Sequence, residues 1–398
     1  MTGPAAEPAR GDVVGRGEHT GRKMAGTSIE NGYFVFTLMP SLYCHLRCPH
    51  CYLSIEERED RTILSPELIE ETCRKIDAYW NGRSIAERTV VCYWYGGEPT
   101  SMGTEVFRDM ADRINSVFTP DRGYSVKHTV LTSLVSARKE WHEVFDTYGH
   151  GEFQTSYDGT MRGGPYVRKW ERKVREAVSA GLRVSTISVV NRDLLEQGPE
   201  WTLDYLSDLG VTETSWLPFM WNEQNNGDMY DTYAPTMARW SEFMQRLTER
   251  WLERRRGGMH VPEIGQMRFI LSQAANGGAF ANIAAQTLFL MPNGDFVLPD
   301  YRDGWMEFMQ PFGNILTQSF GEVLSSPARR AYLRRQVTRN GNPDCLDCSH
   351  ADKCVMEFWK DNRPDDDCFG GRRYVEWLLS RAGEIEAALG DGASTRLY

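Results

Sequence analysis

From Tyr33 onward the chain alternates between two kinds of apolar pattern. Short runs rich in β-branched and aromatic residues predict strands over Tyr33–Met39, Thr89–Tyr95, Val126–Thr132, Phe153–Tyr157, Val184–Val190 and Glu213–Phe219. Between them apolar residues recur at helical spacing. Ser65, Pro66 and Glu67 read as an N-cap, a proline at the first helical position and an early acid. Ile69, Cys73, Ile76 and Trp80 then share one face, and Phe107, Met110, Ile114 and Phe118 repeat the pattern in the next helix. Gly181 and Gly210 stand where C-cap glycines would follow later helices. A long helix over about Pro235–Arg256 turns Trp240, Phe243, Met244, Leu247 and Trp251 inward, and the basic run Arg254–Arg256 at its end reads as a solvated face matched to the helix dipole. Strand–helix alternation repeated six times implies parallel strands with helices packed outside them, an open or closed (βα) barrel. Ligands of such a barrel sit at the carboxyl ends of its strands.

After residue 260 the pattern changes. Thr287–Met291 and Asp295–Leu298 flank Pro292-Asn293-Gly294, a hairpin with Asn-Gly at its turn. Residues 345–368 are loop-like, and Tyr374–Leu389 predicts a terminal helix. Residues 1–30, rich in Gly, Pro, Ala and Arg, predict a disordered tail without the apolar run of a secretory signal, and Met24 is a candidate for the true start. The expected fold class is α/β. A partial (βα)6 TIM-like barrel spans 31–260, a small cysteine-rich α+β domain spans 261–375, and a terminal helix and tail occupy 376–398.

Composition narrows the class without naming a function. The 398 residues are 41% apolar and 25% charged, as in ordinary globular proteins. A net charge of −10 argues against a nucleic-acid surface. No run approaches the length of a spanning helix, so no membrane is expected, and the expected location is cytoplasmic. Nine cysteines change the picture. An odd number without a signal peptide is not a secreted disulfide framework. Seven of the nine fall into two tight groups about 290 residues apart, which points to metal.

The first group, Cys44-x3-Cys48-x2-Cys51, follows the first strand. Three thiolates on a short loop suit three corners of a cubane iron–sulfur cluster, leaving one iron open. With His45 or His50 as a fourth ligand the spacing also admits zinc. Directly after the second strand comes Gly96-Gly97-Glu98-Pro99. Its glycines let a ligand approach the backbone, and Glu98 offers an acceptor for a ligand ammonium group.

Together these segments resemble the radical SAM superfamily, whose cluster motif is C-x3-C-x2-C after strand one and whose methionine-binding motif is GGEP after strand two. The resemblance implies that Cys44, Cys48 and Cys51 hold a [4Fe-4S] cluster, that S-adenosyl-L-methionine chelates its open iron, and that Gly96, Gly97 and Glu98 lie against the methionine end. It implies reductive cleavage to a 5′-deoxyadenosyl radical, which takes hydrogen from an unactivated C–H bond. Thr132-Ser133 stands where many members have Thr-Asn, and Ser156-Tyr157-Asp158-Gly159 matches the Ser-x-Asp-Gly of one large subgroup. By that resemblance Ser156 and Asp158 lie near the ribose and substrate, and Ser188 in strand five adds a ribose contact. His50 occupies a position that often carries a ring packed on adenine; a histidine there can stack or titrate.

The second group, Cys345-x2-Cys348-x5-Cys354 with Cys368 thirteen residues on, is a closed set of four. It suits a fully ligated [4Fe-4S] cluster or a four-thiolate zinc site. It resembles the end of the SPASM/twitch extension of radical SAM enzymes, and Phe312-Gly313-Asn314-Ile315 resembles the segment before it. A full extension carries two auxiliary clusters. Here the hairpin Phe289–Tyr301 has no cysteine and Phe358 stands where another would be, so the resemblance implies one auxiliary [4Fe-4S] cluster. Asp300 and Tyr301 occupy the vacated region, either facing substrate as catalytic groups or as ordinary loop residues. Cys73 and Cys92 read as core, but Cys92 is also a candidate hydrogen-atom donor of the kind radical epimerases use.

The expected function is oxidoreductase- or isomerase-type tailoring of a small natural product such as a sugar or aminoglycoside, by epimerisation, dehydrogenation or dehydration. The alternative is maturation of a peptide or protein by cross-linking or sulfatase-type oxidation. Either requires a flavodoxin- or ferredoxin-type electron donor. A non-catalytic iron–sulfur or zinc protein is the reading from another class.

Overall fold

The computed structural model describes residues 28–222, 224, 228–275, 283–299, 309–338, 343–354 and 366–389. Parallel strands β1 (Tyr33–Leu38), β2 (Arg88–Trp94), β3 (Tyr124–Thr132), β4 (Glu152–Ser156), β5 (Arg183–Val189), β6 (Glu213–Leu217) and β7 (Glu263–Ile264) pair each with the next. The first six lie within two residues of their expected ends; β7 was not anticipated. Helices α1 (Ile55–Glu59) and α2 (Pro66–Asn81) join β1 to β2, and α3 (Thr104–Val117), α4 (Trp141–Gly149) and α5 (Gly164–Ser179) fill the next three crossovers. Helices α6 (Arg192–Gln197) and α7 (Pro199–Asp208) join β5 to β6, while α8 (Asp228–Tyr233) and α9 (Met237–Arg256) lead to β7. Ser65 caps α2, its Oγ accepting Leu68 N–H at 3.0 Å. Gly181 and Gly210 take the left-handed conformation after α5 and α7, as their spacing predicted.

Period-two alternation divides each strand between two environments. Trp94 packs on Phe107 of α3 (4.5 Å between rings), Phe153 on Phe145 of α4 (4.4 Å), and Trp216 on Phe243 of α9 (5.3 Å). The residues between them face the barrel interior: Tyr93 Oη donates to Gln154 Oε1 across it.

The later part of the chain is not a detached unit. After α10 (Gly265–Ala275) and α11 (Ile283–Gln286), strand β8 (Thr287–Leu290) pairs parallel to β1 on the edge opposite β2. Strands β9 (Asp295–Val297) and β10 (Pro311–Asn314) continue antiparallel, giving one ten-stranded sheet ordered β10-β9-β8-β1-β2-β3-β4-β5-β6-β7. The open barrel leaves β1 an edge, and β8, buried at every position, extends it. The expected division at residue 261 therefore runs through a continuous sheet, since β7 beyond it pairs with β6. Helices α12 (Phe320–Leu324), α13 (Pro327–Thr338), α14 (Pro343–Leu346), α15 (Arg372–Ser380) and α16 (Ala382–Leu389) complete the described chain.

Two expectations are corrected. The single terminal helix breaks at Arg381, whose backbone is non-helical (φ −113°, ψ 11°) and whose guanidinium binds Glu384 and Glu249 at 2.8 and 3.0 Å. The last residues assigned to the tail are folded: Ile29 is buried and its carbonyl accepts Trp80 Nε1–H at 2.7 Å, while Glu30 pairs with Arg329 at 2.8 Å. Met24 lies outside the described residues. No helix among the described residues is long and apolar enough to cross a membrane.

Candidate active site

A cavity opens at the carboxyl ends of the parallel strands. Cys44, Cys48 and Cys51, on the loop after β1, all line it and are half-buried. The loop is pinned where Cys44 N–H donates to Arg58 O at 3.0 Å, and where Ser54 and Glu57 form a reciprocal capping box on α1. Burial pushes the Cys44 thiol up to about 12 and raises those of Cys48 and Cys51. Arg162 and Arg58 oppose that shift at Cys48, and a bound cationic group would reverse it.

Gly96 and Gly97 line the same cavity, but their immediate reason is internal. A Cβ on Gly96, whose φ is +104°, would lie 2.5 Å from Ser41 O; one on Gly97 would lie 2.2 Å from Leu42 O and 2.3 Å from Tyr43 O. Gly97 N–H and Glu98 N–H donate to Ser41 O and Tyr43 O at 3.0 and 2.9 Å. The close approach expected from a ligand is made first by the cysteine loop's own backbone.

Glu98 also differs from expectation. It is 1% exposed. Oε1 accepts from Thr132 Oγ1 (2.6 Å), Thr100 Oγ1 (2.7 Å) and Thr100 N–H (3.1 Å); Oε2 accepts from Ser133 N–H (2.8 Å) and Ser133 Oγ. A carboxylate offers about four acceptor positions. The side chain is therefore consumed in locking the β2 and β3 loops together, and is not left for a ligand ammonium group.

Across the cavity stands Asp158, 1% exposed. Oδ1 accepts Val189 N–H at 2.6 Å, and Oδ2 pairs with Arg162 Nε. Arg162 Nη2 lies 3.3 Å from His50 Nε2. Arginine only donates, so His50 Nε2 accepts and its proton resides on Nδ1, which is buried without a partner. Burial, reinforced by Arg162 and opposed by Asp158, pushes His50 down to about 4. His50 is thus neutral near pH 7, its ring edge-on to Phe219 at 6.2 Å. Arg162 was not anticipated. Its only signal is a cation four residues after Asp158, brought back by the turn at Gly159–Arg162.

The remaining candidates separate by face. Ser156 lines the cavity. Ser188 does not: its neighbours Ile187 and Val189 do, and Ser188 lies on the opposite, helix-facing side. Cys92 is corrected likewise. It is fully buried and lies beside Cys73 of α2, on the side of β2 that carries Trp94. Tyr95 is the residue of this segment that reaches the cavity. Asp300, Tyr301 and Phe358 lie outside the described residues.

The second cysteine group begins with Cys345 in α14 and continues on the loops after it. Cys345, Cys348, Cys354 and Cys368 are all half-buried. Backbone N–H groups of His350 and Arg372 donate to the sulfurs of Cys348 and Cys368, each at 3.4 Å. A Cβ on Gly370 would lie 2.4 Å from Cys354 Sγ and 3.8 Å from Cys368 Sγ, so both sulfurs converge over this glycine. Burial, with Asp367 and Cys354 adding, pushes the Cys368 thiol up to about 11. Among the described residues no three His, Cys, Asp or Glu side chains are placed to share a single metal ion.

No protein-family model matches the chain. Solved structures do resemble it. A structure of anSMEcpe with bound AdoMet and the Cp18Cys peptide has a TM-score of 0.67 at 15% identity, over 89% of this chain and 98% of that one. Streptococcus suis SuiB bound to the precursor peptide SuiA has a TM-score of 0.58 at 16% identity, over 81% of this chain and 71% of that one. The chain shares the α/β fold of these two proteins.

Proposed function

We propose that this protein is a radical S-adenosylmethionine enzyme acting on a peptide or protein. The observation that carries the reading is the meeting, in one cavity, of the three thiols of the β1 loop, the glycine clasp of the β2 loop and Ser156 and Asp158 of the β4 loop. The donor set fits the group: three thiols on one short loop line the cavity, the number that leaves one iron of a cubane cluster open. Cys44, Cys48 and Cys51 would hold a [4Fe-4S] cluster that, with bound S-adenosylmethionine, supplies the means to remove a hydrogen atom from an unactivated C–H bond.

The chain's own part is orientation and exclusion. Leu131, Ile187, Val189, Leu217 and Met220 give the cavity an apolar wall that displaces water. Ser156 offers a hydroxyl at its rim. Glu98 is saturated by protein donors and does not compete for the metal, while Asp158 is held by Val189 N–H and the Arg162 guanidinium. The four later cysteines would hold an auxiliary cluster, their amide N–H···S contacts favouring thiolates.

The sequence alone points first to a small natural product as substrate. The bound peptides of the two neighbours favour the peptide alternative. Anaerobic reconstitution should give about eight irons per chain. The reduced protein should release 5′-deoxyadenosine from S-adenosylmethionine and change the mass of a peptide encoded beside its gene. Zinc without iron overturns the whole reading; a mass change confined to a sugar or aminoglycoside overturns the peptide reading alone. A flavodoxin- or ferredoxin-type protein would deliver the electron.

A further inference from the structure

Asp366 and Asp367 immediately precede Cys368 and reach across to α9. Asp366 Oδ2 accepts Met237 N–H at 2.7 Å, and its Oδ1 accepts Ala238 N–H at 2.9 Å. The first turn of α9 is thus capped twice, locally by Thr236 and by a carboxylate far along the chain. Asp367 is 4% exposed. Its Oδ2 accepts Ser241 Oγ–H at 2.9 Å and Arg373 N–H at 3.1 Å, while its Oδ1 accepts Cys368 N–H at 2.9 Å. Gly371, at φ +69°, leaves no room for a Cβ, which would lie 2.5 Å from the Trp240 ring. The backbone around the fourth cysteine therefore lies flat on the first turns of α9.

The described residues that follow β6 also reach the cavity wall. Beyond β6 the chain supplies Pro218, Met220 and Asn222 to the cavity. Phe219 between them meets His50 edge-on at 6.2 Å and Tyr230 of α8 at 5.9 Å. Helix α8 then runs through Ala234, whose N–H donates to Tyr230 O at 2.8 Å, into the Thr236 cap of α9. Side-chain contacts and the chain segments between them run from Cys368 through the start of α9 and α8 to His50, the ring beside Cys48 and Cys51.

We infer that Asp366 and Asp367 are positioning residues that tie occupancy of the four-cysteine site to the shape of the cavity. Ligation at Cys368 orders its loop, the ordered loop presents both carboxylates to α9, and α9 with Phe219 sets the cavity wall. The inference rests on the four-cysteine group binding metal. It does not depend on which metal, nor on radical chemistry.

Hydrogen exchange on the metal-loaded full chain tests it as a cycle. The samples are the wild type, a Cys348→Ser/Cys354→Ser variant, Asp366→Ala, and the three changes combined. Losing the second site in the wild-type background should speed exchange at Met237 and Ala238 about fivefold, the scale of one lost cap. It should also weaken equilibrium binding of S-adenosylmethionine at least twofold, with the first site's iron retained. In the Asp366→Ala background the same cysteine changes should add less than twofold at Met237 and Ala238, because the bonds from those two amides to Asp366 are already gone. Asp366→Asn, which keeps one acceptor oxygen, should fall between. Equal effects in both backgrounds, or no change at Met237–Ser241, overturn the inference. Should iron be absent and zinc fill the second site, the radical reading fails while the exchange cycle still decides the tie.

Discussion

Around Cys44, Cys48 and Cys51 the protein supplies buried charge and close backbone contact; around Cys345, Cys348, Cys354 and Cys368 it supplies amide hydrogens and a glycine. The first loop is clasped by Gly96 and Gly97 and faces the Asp158–Arg162–His50 cluster, with Glu98 saturated behind it. The second has N–H donors aimed at two of its sulfurs and is bolted to α9 by carboxylates that do not line the active-site cavity. The difference teaches what each can do. A site that must leave one face open needs its polar groups held by the protein, so that they do not close over the metal. A site whose ligands come wholly from the chain can be small, peripheral and locally satisfied.

The most severe way to test the contrast is to remove one ligand from each group. Cys48→Ala should lower iron from about eight to about four per chain and reduce 5′-deoxyadenosine release to background. Cys354→Ala should lower iron by a similar amount yet leave measurable release. If both variants lose release equally while the first site's iron survives in Cys354→Ala, the two sites are not functionally distinct.

Charge is the next difference. Arg162→Met leaves the Asp158 carboxylate, 1% exposed, without its guanidinium. Breaking such a pair costs about 3–5 kcal/mol, read as a lower urea midpoint. Changing Asp158 to Leu in the same protein should recover much of that loss, because the stranded charge is gone. A loss under 1 kcal/mol for Arg162→Met, by the handling of exposed pairs, would show solvent reaching Asp158.

Glycines make the contrast symmetrical. Gly97→Ala drives a methyl against Leu42 O and Tyr43 O, backbone that cannot step aside, at a cost of about 1–3 kcal/mol. Gly370→Ala drives one against Cys354 Sγ. Each should deplete metal at its own site only, measured as iron per chain and by spectroscopy of the remaining cluster. Loss at both sites from either change would merge the two regions into one cooperative unit.

Most of this frame was legible in the sequence, and the failures have a shared cause. Apolar periodicity located six strands and the long α9, and cysteine spacing located both groups. Periodicity in a strand states that neighbours face opposite ways, but in a barrel walled by helices both faces are apolar, so nothing in the sequence marked Ser188 and Cys92 as outward. Glu98 was read as an open acceptor because its partners Thr132 and Ser133 arrive from another strand. Asp366 is not marked by local sequence because Met237 lies 129 residues away, and Arg162, although four residues from Asp158, meets His50 from 112 residues away. The run Asp365-Asp366-Asp367 before Cys368 was a visible signal that acids there had backbone donors to meet.

Cys92 offers the gentlest and most discriminating experiment. Its place in β2, two residues before Trp94 and beside Cys73, puts its thiol in the layer between sheet and helices. Burial raises its pKa, so it is held as a thiol. Free cysteine in such a layer behaves as a small apolar side chain. Cys92→Ala should therefore cost about 1 kcal/mol of stability, the scale of a small core truncation. Turnover per S-adenosylmethionine consumed should stay within about twofold of wild type, the energy of that factor being well under 1 kcal/mol. A thiol that returned hydrogen to substrate would behave otherwise: cleavage would continue, product would fail to form, and solvent deuterium would no longer enter it. That result would require Cys92 to face the barrel interior as Tyr93 now does, a one-residue shift in β2 that would also turn Trp94 inward and undo its contact with Phe107.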